Sequence, residues 1–321
     1  RVQYPTVLDR LAYLGGRAMG ALAYYPADPE YLVGEGVLNL ETVAAQAERI
    51  VRGSEEEVLV DLQLAGVSPG GSRPKVAVGY HPGTGELIVG QPDLPVGFEH
   101  WLVKFHAEND AEDFGLMEFA NTKMAIAAGL SMPETRLFAA GDKPYFGVRR
   151  FDWEGLKRLH MHTLSGLLHA SYKVPSFSYE RFLRVVAALT RHPDEVRMAF
   201  RYAAFNLFAH NRDDHTKNFS FLMDEHGEWR LSPAYDVVFS SGPGGYHTMD
   251  YGSGQLHPTT GDLLRLADII GIDQPVAKDI IDEVRTATEL WPQIATDVGV
   301  GRRSREEIRR ALQQVARAAS G

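Results

Sequence analysis

His210-Asn211-Arg212-Asp213-Asp214-His215-Thr216-Lys217-Asn218, with Pro233-Ala234-Tyr235-Asp236 a short hairpin further on, is the stretch whose reading decides the fold. An apolar run, AFRYAAFNLFA (199–209), leads into it with helical character, and FSFLM (219–223) leaves it as a strand. Asp213 is a carboxylate, Asn218 an amide five positions later, and Asp236 a second carboxylate beyond the hairpin. Together they are hard-oxygen groups of the kind that accept a proton or hold a divalent cation. Such a loop needs a helix before it and a strand after it, so a helical region carrying a small hairpin is expected here.

Composition narrows the chemistry. At 321 residues the chain is long enough for two lobes, each with its own core. Hydrophobic content of 44% with 23% charged residues places it among ordinary globular proteins. The absence of cysteine removes a thiol nucleophile, a disulfide framework and a Cys-ligated zinc, and fits a cytoplasmic location. No apolar run approaches the ~18 residues of a membrane span. The chain opens on Arg1 rather than Met, so native N-terminal residues are expected to be missing. A net charge of −9 argues against non-specific nucleic-acid binding by the whole chain. The Arg-rich end interleaves Glu with Arg and reads as a solvated helix face.

Taken in order, residues 7–24 start as a helix, break at Gly15-Gly16 and continue as a short strand. A helix follows to Val51, with Val43, Ala44, Ala47 and Ile50 apolar. Ser54 and Glu57 form a capping box before VLVDLQLA, which Gly66 can close; helix is favoured over the strand that the alternation also permits. Ser68-Pro69-Gly70-Gly71-Ser72-Arg73-Pro74-Lys75 could offer backbone amides, hydroxyls and one cation to an anion, although alone it reads equally as a solvated turn. It lacks the Gly-Lys-Ser/Thr ending of a Walker loop. Strands VAVGY and LIVG come next, then HWLVKF with Lys104 near its end, then a helix carrying Glu118. ETRLFAA and YFGVRRFDW complete a small antiparallel sheet. From about residue 153 the chain turns helical, with a short helix near LHMHTLSGLLH, two longer ones up to the opening loop, and three closing stretches (TTGDLLRLADIIGI, AKDIIDEVRTATELWPQIA and SREEIRRALQQVARAA). SSGPGGYHTMDYGSG between Asp236 and the first of these reads as a mobile surface loop.

Protein kinases use an Asp and an Asn at this five-residue spacing as proton acceptor and metal ligand, a further metal-binding Asp, and a strand lysine fixed by a helix glutamate. Asp213, Asn218, Asp236, Lys104 and Glu118 match those parts. Taken singly, Lys104 is an edge lysine and Glu118 a helix-start acid; taken together with the loop, the functional reading prevails. A rival chemistry is a metal-dependent phosphohydrolase built on Asp214-His215 with His160, His210 and Asp236. A non-catalytic binding module is the third; it predicts that Lys104, Asp213, Asn218 or Asp236 is replaced, and none is. His160 and His162 lie outside the kinase set and read as surface or core histidines.

The run Asn211 to Ser220 and the later Leu231-Ser232-Pro233-Ala234-Tyr235-Asp236 resemble the HipA family of serine/threonine kinase toxins, whose loop reads Asn-x-Asp-x-His-x-Lys-Asn-Phe-Ser before Pro-x-Tyr-Asp. Ser68–Lys75 is similar to that family's phosphate loop, Leu102-Val103-Lys104 to its lysine strand and Arg150-Phe151-Asp152 to its hinge. The resemblance runs from about residue 7 to beyond 270. It implies an α+β, two-lobed protein-kinase-like fold, with a small antiparallel β-rich N-lobe over 1–152 and a helical C-lobe over 153–321. It implies ATP and Mg2+, with Asp213 as proton acceptor and Asn218 and Asp236 on the metal. Gly70, Gly71, Ser72, Arg73, Pro74, Lys75, Lys104, Arg149, Arg150, Phe151, His215, Lys217, Asn218, Tyr235 and Asp236 would contact the nucleotide. Family members phosphorylate an aminoacyl-tRNA synthetase, arrest translation and growth, and are inactivated by autophosphorylation in the phosphate loop, here at Ser68 or Ser72. Their partner is a HipB-like helix-turn-helix antitoxin, through which they meet DNA only indirectly. Two departures stand out: the loop reads Gly-Gly-Ser-Arg-Pro-Lys rather than the Gly-Ala-Gln-Glu-Lys type, and the N-terminal β-rich subdomain is shortened.

Overall fold

Alternation of apolar and polar residues in KVAVGY and EHWLVK builds the first sheet, because every second side chain of a strand points to one face. The structure, a computed structural model, describes residues 6–27, 36–51, 73–107, 110–170, 177–252, 254 and 256–319. The helix expected over 54–66 and the glycines and serines of the phosphate loop, Ser68 to Ser72, lie outside the described residues. The chain divides into two units, residues 1–115 with 134–160, and 116–133 with 161–321. The α+β expectation holds in both.

In the first unit, β1 (Lys75–Tyr80), β2 (Leu87–Val89), β3 (Glu99–Lys104), β4 (Thr135–Ala140) and β5 (Lys143–Arg149) form a sheet of order β2-β1-β3-β5-β4, antiparallel at every pairing. Val76, Val78, Tyr80, Trp101, Val103 and Phe138 bury one face of it together with Leu40, Val43, Ala44 and Ala47 of the helix Leu40–Val51. Tyr80, Trp101 and Phe138 meet edge to face at 5.3–5.8 Å. Gly147 is required beside them, since a Cβ there would lie 2.2 Å from the Phe138 ring. Residues 7–14 are helical and Gly15–Arg17 form a 3-10 turn, but no strand follows. Instead the segment is strapped mainly by Arg158, whose guanidinium donates to the carbonyls of Gly16, Ala18, Gly20 and Leu22 at 2.8–3.1 Å.

In the second unit the helix Pro193–Phe208 is the axis of the core. Ala199, Phe200, Ala203, Ala204, Phe205, Leu207 and Phe208 are all buried, so the helix is apolar nearly all round. It packs against Tyr179–Thr190 and Gln274–Glu289. Its start is set by Pro193 and by His192 Nδ1, which accepts from Asp194 N at 3.3 Å. Two expectations change here. Residues His160–Thr163 form a strand beside Ser220–Met223 and Trp229–Leu231, leaving only Leu164–Leu167 helical. The stretch 277–295 is two helices, because Pro292 lacks the amide to continue the first and so opens Trp291–Val298. Residues 302–319 form the last helix. Among the described residues no helix is long and apolar enough to cross a membrane.

Candidate active site

The loop after Pro193–Phe208 is set by its own backbone before any side chain acts. His210 takes a left-handed conformation (φ 53°), and Asn211 pairs with Ser240, with Arg212 N donating to Ser240 O at 3.2 Å and Ser240 N to His210 O at 3.0 Å. The loop ends in a 3-10 turn, Thr216–Asn218. There Asn218 Nδ2 donates to the Asp213 carbonyl at 2.8 Å, which leaves Oδ1 as the acceptor of that amide. The spacing of five thus has a physical cause: one hydrogen bond closes the turn between the two residues. The Asp213 side chain is 45% exposed, with His215 Nε2 3.8 Å from its Oδ1.

Asp236 follows Tyr235 in a left-handed conformation (φ 52°), a region that Asp tolerates better than most residues. Tyr235 is what holds it there. The Tyr235 hydroxyl donates to Lys217 O at 2.6 Å and meets Ser220 Oγ at 2.5 Å, while its carbonyl accepts from the Tyr202 hydroxyl at 3.0 Å. Burial, with the charge of Asp236 adding to it, pushes the Tyr235 phenol up, so it remains a donor. Tyr235, expected as a nucleotide contact, therefore ties the Asp236 segment to the loop of residues 210–218.

Asp214 has the opposite environment. It is 1% exposed, and its oxygens accept from the Tyr179 hydroxyl (2.7 Å), Thr248 N (2.6 Å), Met249 N (3.3 Å) and His247 Nδ1 (3.0 Å). Burial and the Asp214 charge raise the Tyr179 phenol well above its ordinary range. Asn206 Nδ2 donates to Tyr179, and Asn211 Nδ2 to Asn206 Oδ1, both at 2.9 Å. The rival metal dyad is thus not formed at Asp214, whose carboxylate is consumed in bracing the loop. His210 stacks on Phe239, and burial and then Arg212 lower its pKa. Among the described residues no group of three or more His, Cys, Asp or Glu is arranged to hold a metal. The tail expected as a mobile surface loop is in part built in: Met249–Asp250 pairs with Phe177–Ser178, and Tyr251 is fully buried.

In the sheet-bearing unit, Lys75 of β1 stands directly opposite Lys104 of β3. Two cations at one register position give this end of the sheet positive charge that an anion would be drawn to. The other expected contacts are committed elsewhere. Arg73 makes a two-pronged pair with Asp110, both bonds 2.8 Å, and covers the Phe114 ring. Arg149 pairs with Glu99 at 3.1 Å. Arg150 is buried on Asp152 at 2.7 and 3.0 Å, while Asp152 also accepts from Gly20 N. Its carboxyl, pushed up by burial, ends below its ordinary value because Arg150 outweighs that effect. Both arginines thus form ion pairs within the first unit. Glu118 is 3% exposed in the second unit, and Phe151 and Pro74 are partly and fully buried in the first. Sequence reasoning missed Tyr179, Asn206, His247 and Arg158; only the adjacency of polar residues to a helix end could have marked Asn206.

Comparison with known proteins bears on the family and the fold. The family described as HipA-like C-terminal domain matches residues 67–319. A Sinorhizobium fredii protein named "Putative kinase Y4mE" is 28% identical over 257 residues, 72% of this chain and 56% of that protein. A Haemophilus influenzae protein named "Putative kinase" is 26% identical over 136 residues, 38% of this chain and 40% of that protein. The chain spans about half the length of the curated relatives it matches. HipA of Shewanella oneidensis, solved with HipB and its operator DNA, superposes with a TM-score of 0.73 at 19% identity, covering 99% of this chain and 79% of that one. The fold is therefore the kinase-like fold of HipA.

Proposed function

The chain belongs to the family of HipA-like C-terminal domains, and on that footing we propose that it is an ATP-dependent protein serine/threonine kinase, the toxin of a toxin–antitoxin pair. The observation that carries the reading is the Asn218–Asp213 bond. It fixes the Asn218 amide to the Asp213 backbone within one short turn, to which Tyr235 ties the segment of Asp236, itself at positive φ. Asn218 and Asp236 would hold Mg2+, whose preference for hard oxygen they fit. When bound, that ion supplies charge neutralisation on the transferring phosphates. Asp213 accepts the proton of the acceptor hydroxyl as its oxygen bonds to the γ-phosphorus and the bond to the bridging oxygen of the nucleotide breaks. Lys75 and Lys104 supply positive charge to the nucleotide phosphates, for which their opposed placement is suited.

The acceptor protein in this reading is an aminoacyl-tRNA synthetase, the inactivating autophosphorylation falls on Ser68 or Ser72, and a HipB-like antitoxin restrains the enzyme. The Shewanella likeness, to a HipA solved with HipB and operator DNA, supports the antitoxin. The test is γ-labelled ATP with Mg2+: label is expected on protein with the native chain and absent with Asp213→Asn, whose melting stays native. Retained transfer in that variant would sink the assignment of the base, and label released only as free phosphate would favour hydrolysis.

A further inference from the structure

A groove of about 930 Å³ opens on the helical unit between the start of the catalytic loop and the last helix. His210, Phe239 and Ser241 line one side, and Arg302, Arg303, Glu306, Glu307 and Arg310 the other. His210 lies three residues before Asp213 and Phe239 three residues after Asp236. At about 3.3–3.6 Å per residue, each catalytic carboxylate sits within roughly 11 Å of backbone from the groove. The Asn211–Ser240 pairing fixes both sides of that floor to the same loop.

The charges of the groove are not balanced within it. Glu306 is held by Arg309 at 2.8 and 3.0 Å. Arg302, Arg303 and Arg310 are exposed and form no salt bridge among the described residues. Three arginines thus face Glu307 in a chain whose net charge is −9. Arg302 and Arg303 also stand in the first turn of their helix, which has no acidic residue there and where positive charge is unfavourable. Helix stability does not account for them. The stacked rings of His210 and Phe239, 5.0 Å apart, add a flat apolar floor.

We propose that this groove docks the acceptor polypeptide and selects an acidic segment beside the target hydroxyl. Carboxylates of that segment pair with Arg302, Arg303 and Arg310, whose guanidinium groups suit two-pronged binding of carboxylate, and an apolar side chain lies on Phe239. Glu306 and Glu307 in the same wall oppose a continuous phosphate backbone, whereas a peptide can space its carboxylates around them. The inference rests on the kinase reading above.

The test uses the full chain and the Arg303→Glu/Arg310→Glu double variant, both checked by thermal melting. Two fluorescein-labelled twelve-residue peptides carry a single Ser, one flanked by Glu and Leu, the other by Lys and Leu; a single-stranded DNA of the same length is the third probe. The acidic peptide is expected to bind the native chain, to weaken with salt, and to lose about tenfold or more in affinity with the double variant, while the Lys peptide gains. In the transfer assay KM for the acidic peptide rises and ATP turnover without peptide is unchanged. Equal binding of the two peptides, or acidic binding untouched by the double reversal, overturns the proposal. DNA bound more tightly than the acidic peptide through the same arginines overturns it in favour of a nucleic-acid surface. Transfer to acidic and basic peptides alike fails the groove and spares the kinase; transfer to no peptide, with binding intact, fails the kinase reading instead.

Discussion

Two aspartates stand side by side at positions 213 and 214, and burial gives them different work. The Asp213 side chain is 45% exposed, while Asp214 is closed off and accepts four hydrogen bonds. Removing a buried, fully bonded carboxylate leaves Tyr179, His247 and two amides without their acceptor, so Asp214→Ala is expected to cost about 3–5 kcal/mol. Asp213→Ala, at a side chain that is 45% exposed, is expected to stay within roughly 1 kcal/mol of the native stability. Urea unfolding of the two variants checks the contrast; equal losses would mean that Asp214 does not brace the loop. Asp236→Ala removes one of the two proposed metal ligands, and calorimetry is expected to show Mg2+-dependent ATP binding lost.

At the scale of elements, β1 and β3 bring Lys75 and Lys104 face to face at the end of the sheet. Removing one of these two cations is expected to weaken ATP binding, so Lys75→Met loses part of the thermal shift that nucleotide gives the native chain. Melting curves with and without nucleotide read this loss, and an unchanged shift would refute the account. The helix Pro193–Phe208 was legible from the apolar run of its second half, which is buried nearly all round and so needs little polar face. The strand His160–Thr163 was not, since its pairing with Ser220–Met223 comes from residues some sixty positions away. Likewise Met249–Asp250 looked like loop because Gly and Ser dominate its surroundings, yet the amides of Thr248 and Met249 are fixed by Asp214.

At the scale of the whole molecule, His100 makes one unit more sensitive to acid. It is buried on the Trp153 ring at 3.8 Å; burial first, and the Arg150 charge second, lower its pKa to about 4. The unfolded chain takes up this proton as pH falls through about 6.5, whereas the folded chain refuses it until about 4. Stability is therefore lost as pH falls from 6.5 to 4 and the loss levels off below that, by roughly 2–3 kcal/mol in all. His100→Phe, which keeps the ring and drops the proton, is expected to flatten that slope for the sheet-bearing unit. Urea midpoints at pH 7 and 4.5 measure it, and an unchanged difference between them would count against His100. The two-unit division also shows why one variant need not affect both: each unit has its own core.

The amino-acid sequence by itself determined the class of fold and the chemistry of the loop, because both are local. Helix and strand periodicity is written in neighbouring residues, and the Asp213–Asn218 spacing is closed by a single hydrogen bond within one turn. What only the tertiary structure decided is which polar residues are spent on holding that loop. Arg73, Arg150, Tyr235 and Asp214 are polar or charged, as are the residues proposed to react. Their partners come from distant parts of the chain, and a buried group must satisfy its hydrogen bonds wherever the fold offers them.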